Sequence, residues 1–456
     1  MLSSYKTILK RSFCLLLGTS MILSCTACGT NPQTSEESQT AEESQAVSSS
    51  AAETKPGSSD STPAYVDLLH NSREVIVCRA EAPAYEPAFI ENMYDISLKL
   101  MESADSENSN ELISPYSIWT ALGMTANGAQ GETLSQMLSV LLHNKEEKAP
   151  LEALNINLLA LYEALEGTES QELISANSIW INNSDPSLKV EQSFLDTCQN
   201  LYNVGVFGAP FNEHTREAIN QWVMDHTKNR IPELIDKIPE DAVLYLINSL
   251  SFDGKWEAPY DGENIHHAFF ENEDETTASV LYMTSEEEYV HVNGADGFIK
   301  PYEGDYAMAA FLPPEGTSLS DWLSSLSGAE LAKALAPHSK EKEMTYAVLP
   351  AFETEYKTEL SKPFQSLGME LPFKCGDFHA MASADYNIVI GRILHQTQIK
   401  VDTDGTQAGA ATAVEMLKES APVYEHYVAL DRPFFYVIFH QPSGAPVFTG
   451  CMRQMN

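Results

Sequence analysis

Residues 405–416 read Gly405-Thr-Gln-Ala-Gly-Ala-Ala-Thr-Ala-Val-Glu-Met416, and a short way downstream comes Asp431-Arg-Pro-Phe-Phe-Tyr-Val-Ile-Phe439. The first stretch consists almost wholly of small residues; the second is a dense apolar strand. Taken alone, the small-residue run has a helix-favouring composition, with Thr406 able to cap it. The same residues would also suit a segment that must slide between the strands of a β-sheet. The rest of the chain has to decide between these uses.

Four upstream segments bear on that choice. Asn110-Glu-Leu-Ile-Ser-Pro-Tyr-Ser-Ile-Trp-Thr-Ala-Leu-Gly-Met124 is followed by Asn127-Gly-Ala-Gln-Gly-Glu-Thr133. Asn220-Gln-Trp-Val223 comes with Thr227 and Ile231, and Leu246-Ile-Asn-Ser-Leu-Ser-Phe-Asp-Gly-Lys-Trp256 follows. The last is Leu349-Pro-Ala-Phe352 with Leu360, Phe364 and Leu367-Gly-Met369. With the C-terminal stretch, these motifs run in order from about residue 88 to the end, and together they resemble the serpin family. The resemblance implies an α+β fold, with about nine helices around three β-sheets and an exposed reactive-centre loop. The largest sheet would hold the strands near 243–252 and 392–402.

It also implies a mechanism. A protease attacks the exposed loop and forms its acyl-enzyme. The freed loop then inserts as a new strand and distorts the protease before water can complete hydrolysis. An inserting strand alternates between faces, so Thr406, Ala408, Ala410 and Thr412 fall on one face and Gln407 on the other. Gly405 supplies the freedom of a hinge. A charged side chain on the inserting face would slow entry, because burying an unpaired polar group costs roughly 2–7 kcal/mol. Position 403 is Thr where the family usually has Glu, so an anchoring ion pair is expected to be missing. Counting the usual loop length from Gly405 puts the scissile bond at Glu419–Ser420, bait for a protease that prefers acidic residues. The distance to Pro433 is about three residues longer than the common pattern, so Lys418–Glu419, Met416–Leu417 and Leu417–Lys418 stay open. These would suit trypsin-like, elastase-like, chymotrypsin-like or subtilisin-like enzymes. By residue-wise match, Ser114, Ser117, Asn248 and His395 correspond to a polar network beneath the opening sheet, called the shutter. Trp256 matches the aromatic where insertion begins. Asn220 and Trp222 read as structural.

Periodicity supports the α+β reading independently. Phe89, Met93, Ile96, Leu100 and Met101 recur at helical spacing, as do Leu134, Met137, Leu138 and Leu141. Helices are also expected near 150–165, 191–201 and 214–228. Strand signals cover Ile174–Ile181, Val243–Phe252, Tyr306–Leu312, Met344–Phe352, Tyr386–Val401 and Tyr436–Phe439. Early helices followed by mostly strands suggest α+β rather than alternating βαβ units.

The N-terminus has a different character. Lys6, Lys10 and Arg11 precede an apolar stretch from Phe13 to Leu23, too short for a membrane span. Ser24-Cys-Thr-Ala-Cys-Gly29 closes it and looks like a bacterial lipoprotein signal, with Cys28 the acylated residue and Cys25 the alternative. Residues 1–28 are therefore expected to be the signal and 29–64 a disordered Ser/Glu/Thr-rich tether that cannot bury enough surface to fold. Residues 65–456 would form a single domain. The expected location is secreted, at the extracellular face of the bacterial membrane and held by lipid alone.

The formal charge is −38, of which the signal carries +3, the tether −5 and the body −36. Such an acidic body argues against nucleic acid or anionic headgroups as ligands and steers basic partners inward; solubility alone explains it equally well. The expected partners are serine proteases of chymotrypsin-like or subtilisin-like type, with cysteine proteases as a further class, met by a monomer. Cys78, Cys198, Cys375 and Cys451 are widely scattered, without metal-ligand spacing, and are expected to be free or mostly buried thiols. No cofactor or metal is called for. An enzyme reading fails because no Gly-x-Ser-x-Gly occurs and Ser-x-x-Lys appears at Ser3–Lys6, inside the signal. The rival readings are a non-inhibitory member of the same family and a lipid-anchored solute-binding protein.

Overall fold

The computed structural model describes residues 64–69, 85–103, 109–143, 150–165, 171–202, 204–229, 231, 233–239, 242–337, 342–383, 387–406 and 425–456. Among the described residues are ten α-helices and three sheets of seven, nine and two strands. The sequence-expected helices appear as Pro87–Glu102, Gly131–Leu141, Leu151–Ala164, Gln192–Leu201 and Glu213–His226. Helix Pro115–Ala126 was not legible from amphipathic spacing, because every one of its residues is buried and no polar face exists.

The seven-stranded sheet runs Val66–Asp67, Gly205–Ala209, Gln171–Asn182, Leu244–Lys255, Gly405–Thr406, Arg392–Val401 and Phe352–Glu359. Its inner face carries Leu246, Leu250, Phe252, Ile393, Ile399 and Val401 into the main core. Its outer face presents Tyr245, Ile247 and Leu394 to helix Glu213–His226, where Trp222 meets Trp180 and Phe207 edge-on. Asn220 holds the chain beyond that helix, accepting from Leu234 and Ile235 N–H and donating to the Ile235 carbonyl.

Three expectations need correction. The sheet holding residues 244–255 and 392–401 is not the largest, since Thr277–Val292 is a sixteen-residue strand that joins two runs of strands into one nine-stranded sheet. The expected strand Met344–Phe352 is two strands: Pro350 offers no N–H, Ala351 bonds to Leu281, and the chain passes from the nine-stranded to the seven-stranded sheet. The expected strand Tyr386–Val401 begins only at Arg392. Ile388 and Ile390 are buried outside the sheet, and Ile390 N–H donates to the Pro372 carbonyl. Among the described residues, Cys198 and Cys451 are buried free thiols and Cys375 is an exposed one, while Cys78 lies outside the described residues.

Candidate functional site at the head of the seven-stranded sheet

Leu244–Lys255 and Arg392–Val401 are parallel neighbours over seven register pairs, from Arg392 opposite Tyr245 to Gln398 opposite Ser251. Beyond that level they separate, and Gly405–Thr406 lies between them. Thr406 stands opposite both Val401 and Gly254, and Gly405 opposite Lys255, antiparallel to each flank. A Cβ on Gly405 would meet the Gly254 carbonyl oxygen at 2.1 Å, so only glycine fits this approach. The head of the sheet is thus wedged open by two residues.

The wedge is held by a polar and aromatic cluster. Thr406 is fully buried, its Oγ1 2.7 Å from the Tyr302 hydroxyl. Tyr302 stacks on Trp256 with ring centroids 4.2 Å apart. Trp256 Nε1 donates to the Asp402 carbonyl at 2.9 Å and its backbone N–H to that of Asp404. Tyr260 N–H donates to the Thr403 carbonyl. Beneath, Lys300 Nζ is 2.7 Å from Glu287 Oε1, bonds the Ala258 carbonyl, and lies 4.2 Å from the Tyr260 ring centroid. Trp256 was read from sequence; Tyr260, Glu287, Lys300 and Tyr302 were not. Lys300 had a faint signal, a charge in the apolar run Phe298–Tyr302, whereas Glu287 was hidden in the acidic run Glu286–Glu288.

Further down the seam lies a second cluster. Ser114 caps helix Pro115–Ala126 by accepting from Ser117 N–H, and its own N–H donates to His395 Nε2 at 3.1 Å. Ser117 Oγ donates to Asn177 Oδ1 at 3.0 Å. Asn248 stands opposite Asn177 on one flank and His395 on the other; the described residues include its backbone but not its side chain. The structure therefore brings Ser114, Ser117 and His395 together across the seam. It adds Asn177, which sequence reading missed because a single Asn in a strand shows its partners only through register. Ala408, Ala410, Thr412, Met416, Leu417, Lys418, Glu419, Ser420, Cys25 and Cys28 lie outside the described residues. Among the described residues, no group of three or more His, Cys, Asp or Glu is placed to hold a metal.

A family model described as serpin, serine protease inhibitor, matches residues 91–455. The chain belongs to the serpin family. It is 27% identical over 370 residues to Alpha-1-antitrypsin 1-1 of Mus musculus, covering 79% of this chain and 87% of that one. The crystal structure of a thermophilic serpin, tengpin, in the native state is 32% identical, with a TM-score of 0.77 over 86% of this chain and 100% of that one. Tengpin in the latent state gives a TM-score of 0.70, 32% identity and coverage of 82% and 100%. The serpin fold, mixed α+β with helices around three sheets, is thereby established, and the family is one of protease inhibitors rather than enzymes.

In this serpin the seam histidine is an acid-sensitive element. Burial pushes the His395 imidazole down to about 3, and its Nε2 accepts from Ser114 N–H. The ring is thus neutral, with its proton on Nδ1. The unfolded chain takes up that proton near the ordinary value of about 6.5. Between the two values the unfolded chain binds a proton that the folded one does not. Stability is therefore insensitive to this group above about pH 6.5 and falls below it, by up to about 1.4 kcal/mol per pH unit. His395→Asn should flatten the pH dependence of the denaturation midpoint between about pH 7 and pH 5. An unchanged slope would refute this assignment.

Proposed function

We propose that this chain is a suicide inhibitor of serine proteases, cleaved in its reactive loop and trapping the enzyme as an acyl-enzyme by inserting that loop into the seven-stranded sheet. The observation that carries this reading is the wedge at Gly405–Thr406. It is a strand already begun, in the antiparallel sense, between two flanks that are joined directly below it. Thr406 shares the buried inner face with Val401, so on insertion the even-numbered residues beyond it would fall on that face. Extended at the same register, Ala408 would meet Phe252 and Ile399, Ala410 would meet Leu250 and Thr397, and Thr412 would come level with Asn248 and His395. Insertion to that depth has to part the row that Ser114 and Ser117 brace from below.

The bait bond in this reading is Glu419–Ser420, with the bonds between Met416 and Glu419 as alternatives. The targets are chymotrypsin-like or subtilisin-like proteases. Acylation at Cys28, or at Cys25, would hold the inhibitor at the outer face of the bacterial membrane. The test is to incubate residues 65–456 with a panel of serine proteases and look for an SDS-stable, acyl-linked complex. Cleavage across the panel with no complex would overturn inhibition and favour a non-inhibitory role. Mass spectrometry of the released C-terminal fragment reads the bond directly.

A further inference from the structure

The first described residues form a strap. Val66–Asp67 lies at the edge of the seven-stranded sheet, antiparallel to Gly205–Ala209. Leu68 N–H donates to the Val206 carbonyl at 2.9 Å, and Leu69 N–H to Asp67 Oδ1 at 2.8 Å. The Tyr65 ring lies edge-on to Trp180 and Phe207, with centroids 4.9 and 5.1 Å away, and so joins the aromatic cluster under helix Glu213–His226. Register fixes the level of the strap along the sheet. Val66 stands opposite Gly208, Gly208 opposite Ile181, and Ile181 opposite Leu244. Leu244 begins a strand whose other end, Lys255, stands at the wedge. The strap is therefore at the foot of the sheet. Because it runs antiparallel to Gly205–Ala209, Ala64 and Tyr65 lie on the side of Val66 that faces away from the head.

An inserted loop would end at the same level. Gly405 stands opposite Lys255 and Thr406 opposite Gly254, so each further residue steps one place toward the foot. At that register Met416 would come level with Leu244, and the bait bond at Glu419–Ser420 would pass just beyond it. Four strand spacings separate the inserted strand from the strap, about 19 Å in all. A protease of ordinary domain size has a radius of gyration of roughly 17 Å, so an enzyme carried to the foot would overhang the strap. We propose that the strap is a guide that fixes entry of the N-terminal segment at the pole where a captured protease comes to rest, and that residues 29–64 are the spacer keeping a lipid surface that holds the N-terminus clear of that enzyme. The proposal rests on the inhibitory reading above, but not on which cysteine is acylated. A bilayer closer than the width of the enzyme stands where the enzyme has to go. It raises the insertion barrier, and hydrolysis then wins the race. The extended reach of the spacer, up to about 120 Å, clears an enzyme roughly 45 Å across.

The test holds residues 29–456, and a variant of that chain lacking residues 31–60, on vesicles through an N-terminal histidine tag and a nickel-chelating lipid. A serine protease from the panel is then added, with the same two chains in solution as the control. In solution both should trap equally. On vesicles the long chain should keep its stoichiometry of inhibition, while that of the shortened chain should rise about tenfold as its loop is cleaved without a covalent complex. Tyr65→Ala with Leu68→Asp, made in the shortened chain, frees the strap and lends its residues to the spacer, and should recover trapping on vesicles. Equal trapping by both chains on vesicles overturns the inference, as does a shortened chain that already fails in solution, and the inhibitory reading then stands on the long chain. No recovery on freeing the strap overturns its part as the guide. If neither chain traps protease in solution, both readings fail.

Discussion

Ala410→Arg should abolish the covalent complex and turn the protein into a plain substrate, cleaved at the same bond and at a similar rate. Thr406 fixes the face: it is buried against Tyr302, in line with Val401 and Gly254. Insertion continuing that register would bring position 410 between Leu250 and Thr397, both completely buried on the inner face. A guanidinium there would lie between the buried Leu250 and Thr397 side chains, and an uncompensated buried charge costs several kcal/mol. Trapping is a race between insertion and hydrolysis, and each 1.4 kcal/mol added to the insertion barrier slows it about tenfold. A penalty of about 3 kcal/mol would slow insertion about a hundredfold, sending nearly every turnover down the hydrolytic branch. Gln407→Arg, on the outer face, is the matched control and should keep the complex. Stoichiometry of inhibition and a denaturing gel read both, and equal trapping by the two variants would sink the insertion register.

The second large effect is expected at Lys300. Its ammonium and the Glu287 carboxylate form an ion pair at 2.7 Å with side-chain exposures of 1% and 8%. Lys300→Met leaves that carboxylate buried with the Ser285 hydroxyl as its remaining described donor, a loss of about 3–5 kcal/mol. It also removes the cation from the Tyr260 and Trp256 rings, which position the segment Asp402–Asp404 ahead of the wedge. The denaturation midpoint should fall, and the hinge should become more susceptible to limited proteolysis. Replacing both partners, as Lys300→Met with Glu287→Leu, should recover most of the loss, since an apolar pair of similar volume needs no compensation. Losses that simply add in the double variant would refute the pairing.

Sequence carried the fold well where one face of an element differs from the other. Phe89 to Met101 and Leu134 to Leu141 show helical spacing because each helix has a wet side, and Tyr306–Leu312 is legible as an unbroken apolar strand. It failed where environment overrides pattern: Pro115–Ala126 is buried all round, and the single apolar run Met344–Phe352 crosses from one sheet to the other at Pro350. The site divides in the same way. Gly405, Thr406, His395 and Ser114 stand in recognisable motifs, but Asn177 and Tyr302 meet their partners only in three dimensions, and the Lys300–Glu287 pair forms across the hairpin of Thr277–Val292 and Ala295–Pro301. Glu287 in particular sits in an acidic run that reads as solvated, and only the alternation of Thr277–Val292 turns it inward.

The seam between Leu244–Lys255 and Arg392–Val401 has one more implication, for anyone wishing to make this protein more durable. In most domains a substitution that tightens a strand pair is harmless or useful. Under the proposed mechanism, the seven parallel pairs would be a provisional closure, exchanged for two antiparallel ladders once the loop is cut. A residue that cements those pairs would raise the melting temperature and disarm the molecule in the same stroke. Heat resistance should therefore be sought in surface caps and the far sheet, and a library selected for thermal survival alone should accumulate well-folded proteins that no longer inhibit.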